Sequence, residues 1–82
     1  MHIYKVLLVL TRQPEGGYTV TSPLLPELVT EGDTIAEALL HVQDAIQAAV
    51  ELYEDLHKPL PASIRQPAEA DAIQFEYAVA VP

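Results

Sequence analysis

The feature that most constrains this 82-residue chain is a long helical repeat of apolar side chains in its middle. Apolar residues recur three and four positions apart, the spacing that forms one face of an α-helix. The repeat predicts a helix from about Thr34 to about His57, which ends at Lys58-Pro59 because proline disfavours helix in the residue before it. The apolar positions are Ile35, Ala38, Leu39, Val42, Ala45, Ile46, Ala49, Val50, Tyr53 and Leu56.

The start of this helix carries a capping signature. Thr34 and Glu37 have the T-x-x-E spacing of a capping box, and Asp33 is the competing N-cap. Either choice places negative charge at the positive end of the helix dipole. Gly32, Asp33 and Thr34 are therefore predicted to form the structural turn into the helix.

Four segments have the composition and period-two alternation of β-strands. They are Ile3–Leu10, Tyr18–Ser22, a short segment at Leu28–Thr30, and Ile73–Val81. The first two are joined by the turn signal Gln13-Pro14-Glu15-Gly16-Gly17, which predicts a hairpin.

The element order β-β-β-α-β predicts an α+β fold, with one long helix packed on one face of a mostly antiparallel sheet. If the last strand lies beside the first, the crossover makes that pair parallel and gives the sheet order 3-2-1-4. We expect residues 1–82 to form a single domain.

The first strand is apolar on both faces, and one helix covers only one face of a sheet. Ile3, Leu7 and Val9 are therefore predicted to form a homo-oligomer interface, in a dimer or tetramer. A chain of this length has a marginal core, which also favours association.

Charge and composition exclude several classes of function. The chain has 12 acidic and 4 basic residues, a net charge of −8, which disfavours unaided binding to nucleic acid or an anionic membrane. It has no cysteine, which excludes disulfides and thiolate metal sites. No apolar run is long enough for a membrane span and no secretory signal is recognisable, so we expect a cytoplasmic protein.

No residue constellation predicts catalysis, a metal site or a cofactor site. Glu37, His41 and Asp44 share a helix face, but such spacing is more often a solvated face than a metal or acid–base site. The outer helix face is acidic, and either solubility or attraction of a basic partner explains it. The predicted partner-binding residues are Glu37, Asp44, Glu51, Glu54 and Asp55.

The run from Gly17 to Thr34, followed by Ala36-Glu37-Ala38-Leu39 and Asp44-Ala45-Ile46, resembles the HicB-type antitoxins. The family pattern has a tyrosine-containing strand, P-x-L-P-G, T-x-G-D-T, E-A-L and a later A-I. Pro26 and the Gly32-Asp33-Thr34 turn carry much of the likeness. Glu27 replaces the glycine that usually follows Leu-Pro, so the backbone there is expected to avoid positive φ or to be strained.

The resemblance, which spans about residues 1 to 64, implies a partial ribonuclease-H-like fold and an antitoxin that occludes a small basic HicA-type mRNA-cleaving toxin. Nuclease activity is not expected, because Ile3–Leu10 lacks the carboxylates that hold metal ions in ribonuclease-H-type catalysis. Many members append a DNA-binding segment that is not recognisable here, so no nucleic-acid binding by this chain alone is expected. The alternative is an orphan homo-oligomeric scaffold without a toxin partner.

Overall fold

The computed structural model describes residues 2–67 and 71–82. Its elements are five strands, one α-helix and one 3-10 turn. In chain order they are β1 (Ile3–Tyr4), β2 (Val9–Arg12), β3 (Tyr18–Thr21), β4 (Val29–Gly32), α1 (Ile35–Asp55), the 3-10 turn (Ala62–Ile64) and β5 (Arg65–Gln66). This arrangement confirms the α+β prediction.

The larger sheet has the order β2-β3-β4, and both of its pairings are antiparallel. The predicted neighbours among the first three strands are therefore confirmed. The hairpin between β2 and β3 turns through Gly16 and Gly17, whose φ angles of 103° and 81° lie in the left-handed region that glycine adopts without strain.

The predicted first strand is divided into β1 and β2. Burial nevertheless alternates through it: Val6 and Leu8 pack on the core while Lys5 and Leu7 are exposed. The β2–β3 ladder begins at the pair Val9↔Thr21, and continuing the same register would soon bring Leu7 opposite Pro23. Proline has no amide hydrogen to donate, which explains why the ladder ends near this point.

The strand predicted at Ile73–Val81 is not present in the structure. Residues 71–82 form no strand or helix and are all exposed. Only Ile3 and Tyr4 of the predicted first strand have a new neighbour, β5, which pairs antiparallel with β1, so the expected parallel pair is wrong. Strand propensity alone does not form a strand, because its backbone groups must also be paired with a sheet edge.

The helix lies where the apolar repeat predicts it. Thr34 is the N-cap, and its hydroxyl accepts a hydrogen bond from the Glu37 amide at 3.0 Å. Glu37 Oε1 accepts from the Asp33 amide at 3.4 Å, one residue before the position used in a standard capping box. The helix packs on β4 and β3.

The far end of α1 closes with a left-handed residue. His57 has φ 52°, its amide donates to the Glu54 carbonyl at 3.1 Å, and the Lys58 amide donates to the Tyr53 carbonyl at 2.9 Å. This pair of bonds is a Schellman motif, which satisfies the last helix carbonyls and turns the chain sharply.

The core lies between α1 and the sheet. Leu25 and Leu28, in the bend before β4, are fully buried with Val20 and Ile64. Other buried members of the cluster are Ala38, Val42 and Tyr53. Among the described residues, no helix has both the length and the apolar character required to cross a membrane.

The bend is attached to the end of α1 by Glu27. Its Oε2 accepts a hydrogen bond from the Tyr53 hydroxyl at 2.8 Å, and Lys58 Nζ lies 3.6 Å from its Oε1. Lys58 Nζ also lies 4.8 Å from the centre of the Tyr53 ring. Glu27 has no positive φ, which confirms that the backbone avoids the conformation glycine would allow.

Gly32 allows the close approach of β4 to the helix. A Cβ at this position would lie 2.7 Å from the Cα of Ala38 and would overlap its backbone nitrogen. We expect Gly32→Ala to lower the free energy of unfolding by about 1–3 kcal/mol, because backbone has to move to admit the methyl group. Urea denaturation measures the change, and Ala48→Ser on the exposed helix surface should shift it by less than about 0.5 kcal/mol. A Gly32→Ala variant as stable as the native chain would contradict the steric argument.

The Glu27 contacts predict a pH dependence of stability. The hydrogen bond from Tyr53, assisted by Lys58, holds the pKa of Glu27 below its ordinary value of 4.5. A carboxyl group whose pKa is lower in the folded state stabilises the protein at pH values above its unfolded-state pKa. This stabilisation is lost as the pH falls through the folded-state pKa. The stability difference between the native chain and Glu27→Gln should therefore shrink when urea denaturation is repeated from pH 7 down to pH 3. Glu54→Gln, on the exposed helix surface, is the control and should show a smaller pH-dependent difference.

Candidate functional site

The candidate functional site is the outer face of α1, opposite the side that packs on the sheet. Positions separated by 4, 7, 11, 14 and 18 residues return to nearly the same direction on a helix of 3.6 residues per turn. Glu37, Asp44, Glu51 and Asp55 therefore form one stripe, and Glu54 lies about 100° around the axis. Asp44, Glu51, Glu54 and Asp55 are exposed and Glu37 is half-buried. We call these five residues the acidic helix face.

Leu40 lies within this acidic face, and the sequence analysis missed it. Its side chain is 68% exposed, although leucine usually packs in a core. It lies beside Glu37 and Asp44 because it is three residues after the first and four before the second. An exposed leucine beside charged residues can add apolar contact area to a surface that is otherwise polar. The signal in the sequence was a leucine outside the three-and-four spacing of the apolar repeat.

A groove continues the acidic surface beyond the start of the helix. It lies between the β2–β3 turn and the first turns of α1, and its volume is about 400 Å³. The register pair Tyr18↔Gly32 brings the two turns together. Four carboxylate residues line it: Glu15, Glu31, Asp33 and Glu37. We call it the hairpin–helix groove.

His41 has a structural contact in this region. Its Nδ1 lies 2.6 Å from the Glu31 carbonyl oxygen, so this nitrogen donates the hydrogen bond and ties the helix to β4. The possibility of a metal site with Glu37 and Asp44 gains no support, since no group of three metal-ligating side chains occurs in residues 2–67 and 71–82. The contact that the structure shows for His41 is therefore the one that ties α1 to β4.

The residues predicted for self-association lie on the opposite side of the domain. Leu7 and Val9 are 63% and 43% exposed on the sheet face away from α1, whereas Ile3 is half-buried. Val29 joins them, because the register pairs Val9 with Thr21 and Thr21 with Val29 in one row across the sheet. We call Leu7, Val9 and Val29 the outer sheet patch; its role in self-association stays a prediction.

Of the structural residues predicted in the bend and turn, Asp33 and Thr34 form hydrogen bonds with the acidic stripe. Pro26 is exposed in the bend, and Gly32 is buried against the helix. Thr34 caps α1, the Asp33 amide donates to Glu37, and Asp33 and Glu37 line the hairpin–helix groove.

The hydrogen bond at the Thr34 cap predicts a measurable contribution to the stability of the protein. Thr34→Ala removes the acceptor for the Glu37 amide and should lower the free energy of unfolding by about 1 kcal/mol. Thr34→Ser retains the hydroxyl and should recover most of that loss. Thermal or urea unfolding followed by circular dichroism measures both variants, and equal losses would show that the hydroxyl is not the stabilising group.

Comparison with known proteins finds relatives of two descriptions. The chain is 40% identical over 57 residues to Antitoxin HicB of Escherichia coli K12, covering 67% of this chain and 41% of that protein. It is 50% identical over 54 residues to Antitoxin HicB 1 of Photorhabdus laumondii, covering 63% of this chain and 35% of that protein. A UPF0150 protein of Thermoplasma acidophilum is 33% identical over 57 residues, covering 70% of this chain and 83% of that relative.

These matches differ in how much of each relative they cover. The aligned part spans less than half the length of the two antitoxins and most of the length of the Thermoplasma protein. No family model matches the chain.

Proposed function

Because this chain belongs to the family of HicB-type antitoxins and UPF0150 proteins, we propose that it is an antitoxin-type binding module for a small basic HicA-type toxin. Inhibition would result from covering the toxin's active site, without catalysis by this chain. The observation that carries the proposal is the identity of 40–50% to two proteins named Antitoxin HicB.

The acidic helix face is the proposed toxin-binding surface. Four carboxylates repeat along one side of α1 over 18 residues, a length of about 27 Å at 1.5 Å per residue. This is long enough to contact a small domain along its full width. The net charge of −8 would speed the approach of a basic partner, since complementary charge raises association rates.

Leu40 would add apolar contact area to an interface that is otherwise formed by charged residues. Exposed ion pairs contribute little net free energy to a complex, because each charge loses water when it is paired. An exposed leucine that becomes buried contributes through removal of apolar surface from water. The proposed interface therefore has Leu40 near its amino-terminal end, with Glu37 and Asp44 beside it and Glu51 and Asp55 farther along the helix.

The antitoxin proposal is tested by searching the adjacent reading frames for a small basic HicA-type toxin and co-expressing it with this chain. We expect growth to be rescued and an inactive toxin variant to co-purify with the chain. No complex and no rescue would contradict the proposal and favour the alternative of a homo-oligomeric scaffold without a toxin partner.

The surface assignment is tested separately with charge-matched variants. Asp44→Asn/Glu51→Gln on the helix should weaken toxin binding at least tenfold in calorimetry. Glu15→Gln/Glu31→Gln in the hairpin–helix groove removes the same charge and should weaken it less than threefold. Leu40→Ser should raise the dissociation rate with little effect on the association rate, because apolar contacts form after the encounter. A larger loss from the groove pair would overturn the helix-face assignment.

A further inference from the structure

The C-terminal segment, residues 71–82, combines a strand pattern with complete exposure; we call it the C-terminal arm. Its odd positions from 73 to 81 are large and apolar, and each is between 46% and 80% exposed: Ile73, Phe75, Tyr77, Val79 and Val81. The Phe75 and Tyr77 rings contact edge to face with centroids 6.4 Å apart. Contact between side chains two residues apart places them on one side, as in a strand.

A sheet edge suited to such a strand lies along Val6–Leu10. β2 pairs with β3 on one side, and no described residue pairs with β2 on its other side. Edges of this kind expose unpaired amide and carbonyl groups that accept a further strand. Between β1 and β2 the structure assigns no strand, but burial alternates residue by residue as it does along a strand. We therefore infer that the edge extends from β2 back to Val6.

The core is incomplete beside the same edge. The helix packs on β4 and β3, at the other side of the sheet. Val6, Leu8 and Leu10 face the core but are only partly buried, and Ile46 of α1 is also partly buried. An added strand with one apolar face would cover them, and its other face, made of Gln74, Glu76, Ala78 and Ala80, would face outward.

The charged residues at the two ends of this edge also favour binding of the arm. Lys5 and Arg12 lie just outside the two ends of Val6–Leu10, and neither forms an ion pair with any residue that the structure describes. They are two of only four basic residues in a chain of net charge −8. The arm carries Asp71 and Glu76, so the two basic residues beside the edge would attract it. This local attraction opposes the repulsion between two chains that each have a net charge of −8.

We propose that the C-terminal arm of one copy pairs as a β-strand with the Val6–Leu10 edge of a second copy, whose arm pairs with the first copy in return. The arm is exposed within its own chain, where β5 already occupies the edge of β1. A reciprocal exchange uses both arms and both edges and leaves a closed, two-fold symmetric dimer.

The arm provides enough surface for a stable dimer. An aromatic side chain buries on the order of 200 Å². The two phenylalanines and two tyrosines of an exchanged pair would thus bury about 800 Å², half of a standard interface of about 1,600 Å². The six aliphatic side chains on the same faces add to this area.

Cross-linking between two differently substituted chains tests the exchange, because the native chain has no cysteine. One chain carries Ala78→Cys on the outward side of the arm, and the other, with an affinity tag, carries Leu7→Cys at the exposed edge. The chains are unfolded, mixed, refolded and treated with a short bismaleimide, whose reach tolerates differences in strand register. We expect a product of twice the chain mass that contains both chains.

A tagged Glu15→Cys chain, substituted at the hairpin turn, replaces the Leu7→Cys chain as the control and should give at least fivefold less mixed product. If a chain carrying both Ala78→Cys and Leu7→Cys instead cross-links at the mass of one chain, and the mixture gives no mixed product, the arm folds on to its own edge and the exchange is wrong. Equal yields from Leu7→Cys and Glu15→Cys would also overturn it.

The oligomeric mass gives a second, independent readout. Light scattering of the unsubstituted chain should give a dimer, and Phe75→Ser/Tyr77→Ser should weaken dimerisation at least tenfold. Both side chains are exposed in the single chain, so its far-UV circular dichroism should retain the helix. Ala78→Ser/Ala80→Ser alters the other face and should leave the dimer unchanged within twofold. A dimer that survives Phe75→Ser/Tyr77→Ser would contradict the proposal.

Discussion

The close approach of β4 to α1 at Gly32 is the constraint on which the rest of the structure depends. With no Cβ at this position, the helix begins directly against the strand that precedes it. Thr34 then caps the helix, and the His41 ring, about two turns later, donates a hydrogen bond to the Glu31 carbonyl. This corner fixes the direction of α1, and with it the direction in which the acidic helix face and Leu40 point.

The same corner places the helix off-centre. Because α1 follows β4 with only Asp33 and Thr34 between them, it covers the β4 and β3 side of the sheet and leaves the core side chains near β1 and β2 partly buried. A single helix on a small sheet has two uncovered regions, the far face and the far edge. The acidic helix face therefore points away from the outer sheet patch and the free edge, which share Leu7 and Val9.

Features that depend on one helix or strand could be predicted from the sequence, whereas most contacts between elements could not. The apolar repeat and the Thr34–Glu37 spacing located α1 within two residues at each end, because helix formation and capping are local. Alternation also identified which side of Val6–Leu10 faces the core. The strand at Ile73–Val81 was wrong because pairing requires a partner that a local pattern does not contain.

The positions of the candidate site residues could be predicted only where they depend on a single element. The acidic residues of α1 follow from helix geometry, but the hairpin–helix groove depends on the register between β3 and β4. The bond from Tyr53 to Glu27 joins residues 26 positions apart, and no local spacing indicates it. Leu40 was not predicted because it lies outside the three-and-four spacing of the apolar repeat, and that spacing indicates only the side chains that face the core.

The left-handed backbone at His57 has an effect at the other end of the chain. If this residue took the right-handed torsion of its predecessors, the Schellman turn would be lost and the chain would leave α1 in a different direction before Pro59. Arg65 and Gln66 would then no longer reach Tyr4 and Ile3, their partners in β1. The sign of a single backbone torsion thus bears on whether Ile3 and Tyr4 have a paired neighbour.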